Sequence, residues 1–200
     1  MRVFGFAVVV AASLVFAQHP SAQVTRAADK PQKLILIVDE GPAPATLKSL
    51  AARADAIVVG RVRSVGDAPE ALIGASTPLA VHFDSLDVLE TMKSSSKAAT
   101  PAGALRLMQF GGTIESSGRQ VETRNGLAIG FKKDHEFVLF VRKHPLTDAY
   151  VLVSSVMGAF EVGADTRFVA VPEQARALPE LDGRTWMPLG EFRAIVQDAR

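Results

Sequence analysis

The run EFVLFV at residues 136–141 puts phenylalanine, valine and leucine on both faces of any extended strand. A strand that is apolar on both sides has to be covered on both sides, so a lone sheet with one wet face is excluded. The fold needs a central strand between two apolar layers. Around this run the chain is a series of short extended segments separated by turn residues, a spacing that predicts a barrel or a sandwich.

Residues 33–38 (KLILIV), stopped by Gly41, Pro42 and Pro44, suit an early strand. Thr46 can cap a short helix in which Leu47, Leu50, Ala51 and Ala54 recur at helical spacing. Residues 56–65 (AIVVGRVRSV) start apolar on both faces and end alternating. Val58, Gly60, Val62 and Ser64 share one face, while Arg61 and Arg63 share the other with Val59 and Val65, as on a wet barrel exterior. Gly60 marks a pivot where the strand bends from one half of a closed sheet to the other. Residues 66–78 read as a loop. In residues 79–92, Val81 and Phe83 keep one phase and Leu86 and Val88 the other, so a β-bulge or corner is expected at Asp84 and Ser85. Residues 91–103 end in a polar, small-residue loop. Residues 104–110 form a third strand stopped by Gly111 and Gly112, and residues 113–115 and 120–123 flank a hairpin. Strands at 150–156 and 167–171 follow. In the tail, Leu189, Phe192, Ile195, Val196 and Ala199 fall on one helical face, which predicts a closing helix. A bent first strand and a bulged second one favour the barrel.

At the amino terminus, Met1 and Arg2 precede fifteen uncharged residues, 3–17, with small residues at Val15 and Ala17. This is the pattern of a signal peptide cleaved ahead of Gln18, and it is shorter than the ~20 apolar residues a spanning helix needs. The expected organisation is a signal peptide at 1–17, a flexible leader at 18–33 and a single β-barrel domain at 34–200, working in the periplasm or outside the cell. Losing residues 1–17 removes one cation and leaves 21 Lys and Arg against 21 Asp and Glu, so charge gives no case for nucleic acid or an anionic membrane. The chain has no cysteine, which excludes disulfides, a lipoprotein signal, zinc thiolate sites and a cysteine nucleophile.

The order of segments, SLAARA, ADAIVVGRVRSV, VHFDSLDVLETMKSS, LRLMQFGG, FKKDHEFVLFV and YVLVSSVMGAFEV, resembles the netrin-like module, the OB-type barrel shared with tissue inhibitors of metalloproteinases. It is also similar to exported bacterial proteins of the same plan. The resemblance covers residues 46–162 and rests on apolar positions. It implies a mainly β fold, an OB-like closed or partly open barrel with a short helix before the first barrel strand and a C-terminal helix. Every cysteine of the netrin-like family is missing here, including the amino-terminal one through which the inhibitors address a protease zinc, so inhibition carries over to no residue.

Chemical motifs are scarce. His135 and Glu136 begin like HExxH, but Leu139 stands where the second histidine belongs, and KKDHE reads better as a solvated turn. His82, His135 and His144 would have to converge in the fold to hold a metal. Gly111 and Gly112 lack the Lys-Ser/Thr pair and helix of a phosphate loop. The serine clusters at 94–96, 116–117 and 154–155 include no G-x-S-x-G elbow. Asp84, Asp87 and Glu90 sit at mixed phases, and an acid pair among 21 carboxylates cannot be located by spacing. With only Trp186 and Tyr150 beside the phenylalanines, stacking platforms are few. No catalytic, cofactor-binding or metal-ligating residue is assigned. The expected function is an exported, non-enzymatic binding or interaction domain whose partner is a protein or envelope component, without stable membrane insertion. The alternatives are a hydrolase with an unlocated acidic pair and an oligosaccharide or oligonucleotide binder in an OB groove. A deep pocket with convergent ionisable groups speaks for the enzyme, and a shallow surface with an apolar patch for binding.

Overall fold

The computed structural model describes residues 33–38, 42–72, 74, 77–95, 103–125, 129–165 and 167–198. The expected signal peptide, the leader up to residue 32, and Ala199 lie outside them. The helix α1 (Leu47–Arg53) starts at the expected cap. Thr46 Oγ1 accepts the Ser49 N–H at 2.9 Å and Ser49 Oγ accepts the Thr46 N–H at 3.1 Å, a reciprocal capping box. A carboxylate from far along the chain adds to it: Glu180 accepts the Leu47 N–H at 3.0 Å and the Lys48 N–H at 3.3 Å. Burial pushes that carboxyl up, but these donors and its own backbone N–H outweigh it and hold it below the usual range.

The strands in chain order are β1 (Lys33–Ile37), β2 (Ala56–Ser64), β3 (Glu70–Ala71), β4 (Ala80–Ser94), β5 (Ala104–Phe110), β6 (Gly112–Ser116), β7 (Arg119–Arg124), β8 (Glu136–Lys143), β9 (Tyr150–Leu152), β10 (Ala159–Val162), β11 (Phe168–Ala170) and β12 (Trp186–Pro188), and the helix α2 (Leu189–Asp198) follows. The fold is mainly β, with a closed five-stranded barrel between α1 and the C-terminal α2. β2 pairs β4, β4 pairs β5, β5 pairs β9 in parallel, β9 pairs β8, and β8 returns to β2. From β8 the sheet also continues outward through β10, β11 and β12. β1, β7 and β6 form a second sheet in which β1 runs parallel to β7. Ser117 and Gly118, both in the left-handed region, turn β6 into β7.

β8 is buried on both faces, as its sequence requires. Phe137, Leu139 and Val141 point into the barrel with Val58, Val62, Leu86, Leu105 and Leu107. Val138 and Phe140 point outward into a second core with Leu47, Leu50, Phe160, Phe192 and Val196. The same two layers explain the start of β2, where Ile57 and Val59 join the outer core and Val58 the inner one. Arg61 and Arg63 lie on the barrel exterior, each paired with a carboxylate, Glu136 and Asp87 respectively.

The structure corrects several expectations. The irregularity expected at Asp84 and Ser85 lies on the β2 side of Ser85, where Arg63 is the extra residue between the pairs Val62–Leu86 and Ser64–Ser85, whereas toward β5 Asp84 and Ser85 pair in unbroken register with Leu107 and Arg106. The phase of apolar residues changes there because Val81 and Phe83 pack outside the barrel, in a cluster with Met108 and Val151, while Leu86 packs inside it. The inward position between them is taken by Asp84, fully buried, whose carboxylate accepts from Gly66 N–H at 3.0 Å and Gln109 Nε2 at 2.6 Å. Two further register shifts along the β2–β4 pair have Leu89 and Met92 of β4 as the extra residues. The strand expected at 150–156 stops at Leu152, since Gly158 N–H bonds the Ser154 carbonyl in a turn. β10 and β12 were missed, as was β3 inside the expected loop, because they span only two to four residues.

Barrel closure passes through the turn after β8. His144 is 7 % exposed, and its Nδ1 stands 3.3 Å from both the Leu146 N–H and Thr147 Oγ1. Burial, reinforced by the charge of Arg142, holds its pKa below the ordinary histidine value of 6.5. A folded-state pKa below the unfolded one means the unfolded chain binds more protons, so the contribution is complete above 6.5 and is lost as pH falls through the lower folded value. The expected result is a falling melting temperature on acidification below pH 6.5, with a smaller fall in His144→Asn, whose side-chain carbonyl still accepts at neutral and acid pH. Melting curves across that range check it, and equal acid slopes in the two proteins would refute it.

Candidate functional site

A groove of about 830 Å³ lies where β2 passes Arg61, β8 begins, β10 ends and β11 begins. Alternation decides what it displays. Val162, Val169 and Met187 are buried in the outer core, so Glu161, Phe168, Ala170 and Trp186 project from the opposite face of β10, β11 and β12. Phe168 pairs with Pro188 and Ala170 with Trp186 across β11 and β12, which makes Phe168 and Trp186 diagonal neighbours on one face. Their rings meet edge to face with centroids 5.2 Å apart. Trp186 is 60 % exposed and Phe168 38 %.

The polar rim consists of the Arg61–Glu136 ion pair, the His135–Glu161 contact and a further carboxylate. Arg61 donates to Glu136 Oε1 through Nη2 at 2.6 Å and Nε at 3.1 Å, and the hydrogen bond to this carboxylate raises the guanidinium pKa further. His135 Nδ1 lies 2.5 Å from Glu161 Oε1. Asp134 is held in the left-handed region at φ 67° as the turn enters β8. KKDHE thus turns at Lys133 and Asp134 and opens β8 with Glu136, and its last three residues line the groove.

A second cleft of about 490 Å³, lined by Gly66, His82, Gly111, Gly112 and Thr123 among others, lies between the barrel and the β6–β7 sheet. Its buried Thr123 is satisfied within the fold, Oγ1 accepting the Ala80 N–H at 2.7 Å, and the Gly66 N–H at its edge is taken by Asp84. The three histidines considered as a metal set do not meet. His135 and His144 flank the two ends of β8, about 30 Å apart at ~3.3 Å per residue, and His82 lies at the second cleft. Among the described residues no group of three or more His, Asp or Glu could hold a metal ion, and no helix is long and apolar enough to cross a membrane.

The sequence does not single out Phe168 or Glu161, and it names Trp186 only as one of two scarce stacking platforms. The only usable signal was the lone tryptophan of the chain, two residues before Pro188 and just ahead of a helix. No protein-family model matches the chain, and no curated protein is significantly similar to it.

Proposed function

We propose that this protein is an exported, non-enzymatic binding module that holds a protein or other envelope component in the groove at Trp186. One observation carries the reading. A tryptophan and a phenylalanine stand exposed side by side in a concave surface, and large rings, tryptophan above all, are among the side chains whose burial by a partner contributes most. The ionisable groups of the groove converge, but most of them stand in solvent: the side chains of Arg61, His135 and Glu161 are 51 %, 41 % and 46 % exposed, and the less exposed Glu136 is held by Arg61. A hydrolytic acid needs a protected site that separates the protonation states of its carboxyls, so the arrangement favours recognition over catalysis. The strand order of the barrel, closed by the single parallel pair of β5 and β9, supports the OB-like reading and with it the resemblance to the netrin-like module.

Export rests on residues 1–17, and Edman sequencing of the protein from periplasm or medium is expected to begin at Gln18. The binding reading is tested by placing a photo-crosslinking benzoylphenylalanine at Ala170, in the groove, or at Glu115, exposed on β6 of the other sheet. A discrete product in native cells from position 170 alone, lost on adding Trp186→Ala, is the expected result. The same products from both positions, or none from 170, would overturn it.

A further inference from the structure

We infer that the groove selects a cationic partner, an extended polypeptide segment bearing lysine or arginine, whose charged side chains lie on Trp186 and Glu161. This rests on the binding reading above and deepens it. Three carboxylates, Asp134, Glu136 and Glu161, face the groove against the Arg61 guanidinium and the His135 imidazole, so even with the imidazole protonated its surplus charge is negative in a protein otherwise balanced. The lysines of the preceding turn, Lys132 and Lys133, are not among its lining. Glu136 is already engaged by Arg61, which leaves Asp134 and the Glu161–His135 pair to meet a ligand. An anionic ligand is repelled here, and a cation is drawn to the same face that carries the rings.

The aromatic pair completes the argument. A cation over a tryptophan face gains from the ring quadrupole, more than over phenylalanine or tyrosine. Elsewhere this chain fills such faces itself, with the Arg106 guanidinium 3.6 Å above Phe83 and the Lys143 ammonium 5.0 Å from the Tyr150 centroid. Among the described residues no side-chain cation covers Trp186, whose ring contact is the edge-to-face Phe168. Glu161 on β10 and Trp186 on β12 are two strands apart, about 10 Å at ~4.8 Å per strand. That distance suits two basic side chains on the same side of an extended segment, since residues i and i+2 repeat at ~6.6 Å and long side chains splay.

The test titrates the full mature protein with an octapeptide of alternating lysine and serine, its glutamate-serine counterpart and a neutral chitin tetrasaccharide. Trp186, the only tryptophan, reports binding by its emission, and calorimetry follows the variants that lack it. The basic peptide alone is expected to give a saturable change, lost toward about 1 M salt, where the screening length falls to ~3 Å. Trp186→Leu, which keeps apolar bulk without the ring face, and the double variant Asp134→Asn with Glu161→Gln are each expected to weaken it about threefold or more, at unchanged melting temperature. If the saccharide or acidic peptide binds as well and the charge variants have no effect, the cation inference fails and the groove stands as an aromatic site. If no probe binds while the crosslink from position 170 persists, the cation inference fails in the same way. If both are missing, the binding reading fails with it.

Discussion

Replacing Phe140 by alanine is expected to remove ~3 to 5 kcal/mol from the unfolding free energy, the range for a large aromatic truncated in a core. Its side chain is fully buried, and its ring lies 5.8 Å from that of Phe160 on β10 and 6.4 Å from that of Phe192 on α2. Three elements therefore meet on one side chain, each fixed elsewhere. β8 is paired on both edges, the Phe140 N–H is bonded to the Gly158 carbonyl at 2.8 Å, and the Phe140 carbonyl accepts the Val153 N–H at 2.9 Å. A strand held in this way cannot move in to fill the space, so the cavity term adds to the lost transfer energy. Urea denaturation measures it, and a loss under ~1 kcal/mol would place Phe140 outside the core that joins α2 to the barrel.

That core was legible because β8 had to be covered twice. Once EFVLFV demands two apolar layers, the helix face Leu189, Phe192 and Val196 has an obvious place, and the structure seats it there. The barrel was legible for the same reason, since β2 also begins apolar on both sides. What could not be read was the pairing of short pieces. β10 and β12 have too few residues to establish a period, and their strand state comes from hydrogen bonds to distant partners, Leu139 for Ala159 and Val169 for Met187. The groove depends on those two strands. Glu161 and Trp186 lie 25 positions apart in the chain and become neighbours of one surface only when β11 pairs with both β10 and β12. His135 and Glu136, by contrast, were noticed for a metal motif that fails and were placed in a turn. They belong to the groove because that turn leads into β8, where Glu136 stands across from Arg61.

Asp84 taught the opposite lesson about phase. An aspartate at an inward position of a barrel strand looks like the sign of an irregularity, but a carboxylate bonded by two donors can be buried without one. The change of apolar phase from Val81 and Phe83 to Leu86 and Val88 needs no extra residue in β4, because Val81 and Phe83 cover the outer face with their own cluster, and the extra residue at Ser85 is Arg63 of β2.

Gly66→Ala is expected to destabilise the protein at or above the top of the ~1 to 3 kcal/mol range for overpacking, while Gly60→Ala changes stability by no more than about 0.5 kcal/mol. The sequence points to Gly60, because a strand interior without a side chain usually means a bend. The shift in register next to it is real, but the extra residue is Leu89 on the opposite strand, and a Cβ at Gly60 would stand 3.4 Å from Leu86 Cδ2, an ordinary contact. Only a larger side chain such as valine, as in Gly60→Val, would crowd the barrel interior there. Gly66 faces a different demand. Its N–H donates to the buried Asp84 carboxylate at 3.0 Å, which draws the chain after β2 so close to β4 that a Cβ would fall 2.3 Å from the Phe83 carbonyl oxygen. The obstacle is backbone of a strand paired along its length to β5, so relief requires moving either that strand or the loop that satisfies Asp84. Moving the loop leaves one oxygen of a fully buried carboxylate without its donor, which adds to the cost. Denaturant unfolding of both alanine variants decides the matter: a stable Gly66→Ala beside an unfolded Gly60→Ala would return the pivot to the middle of β2.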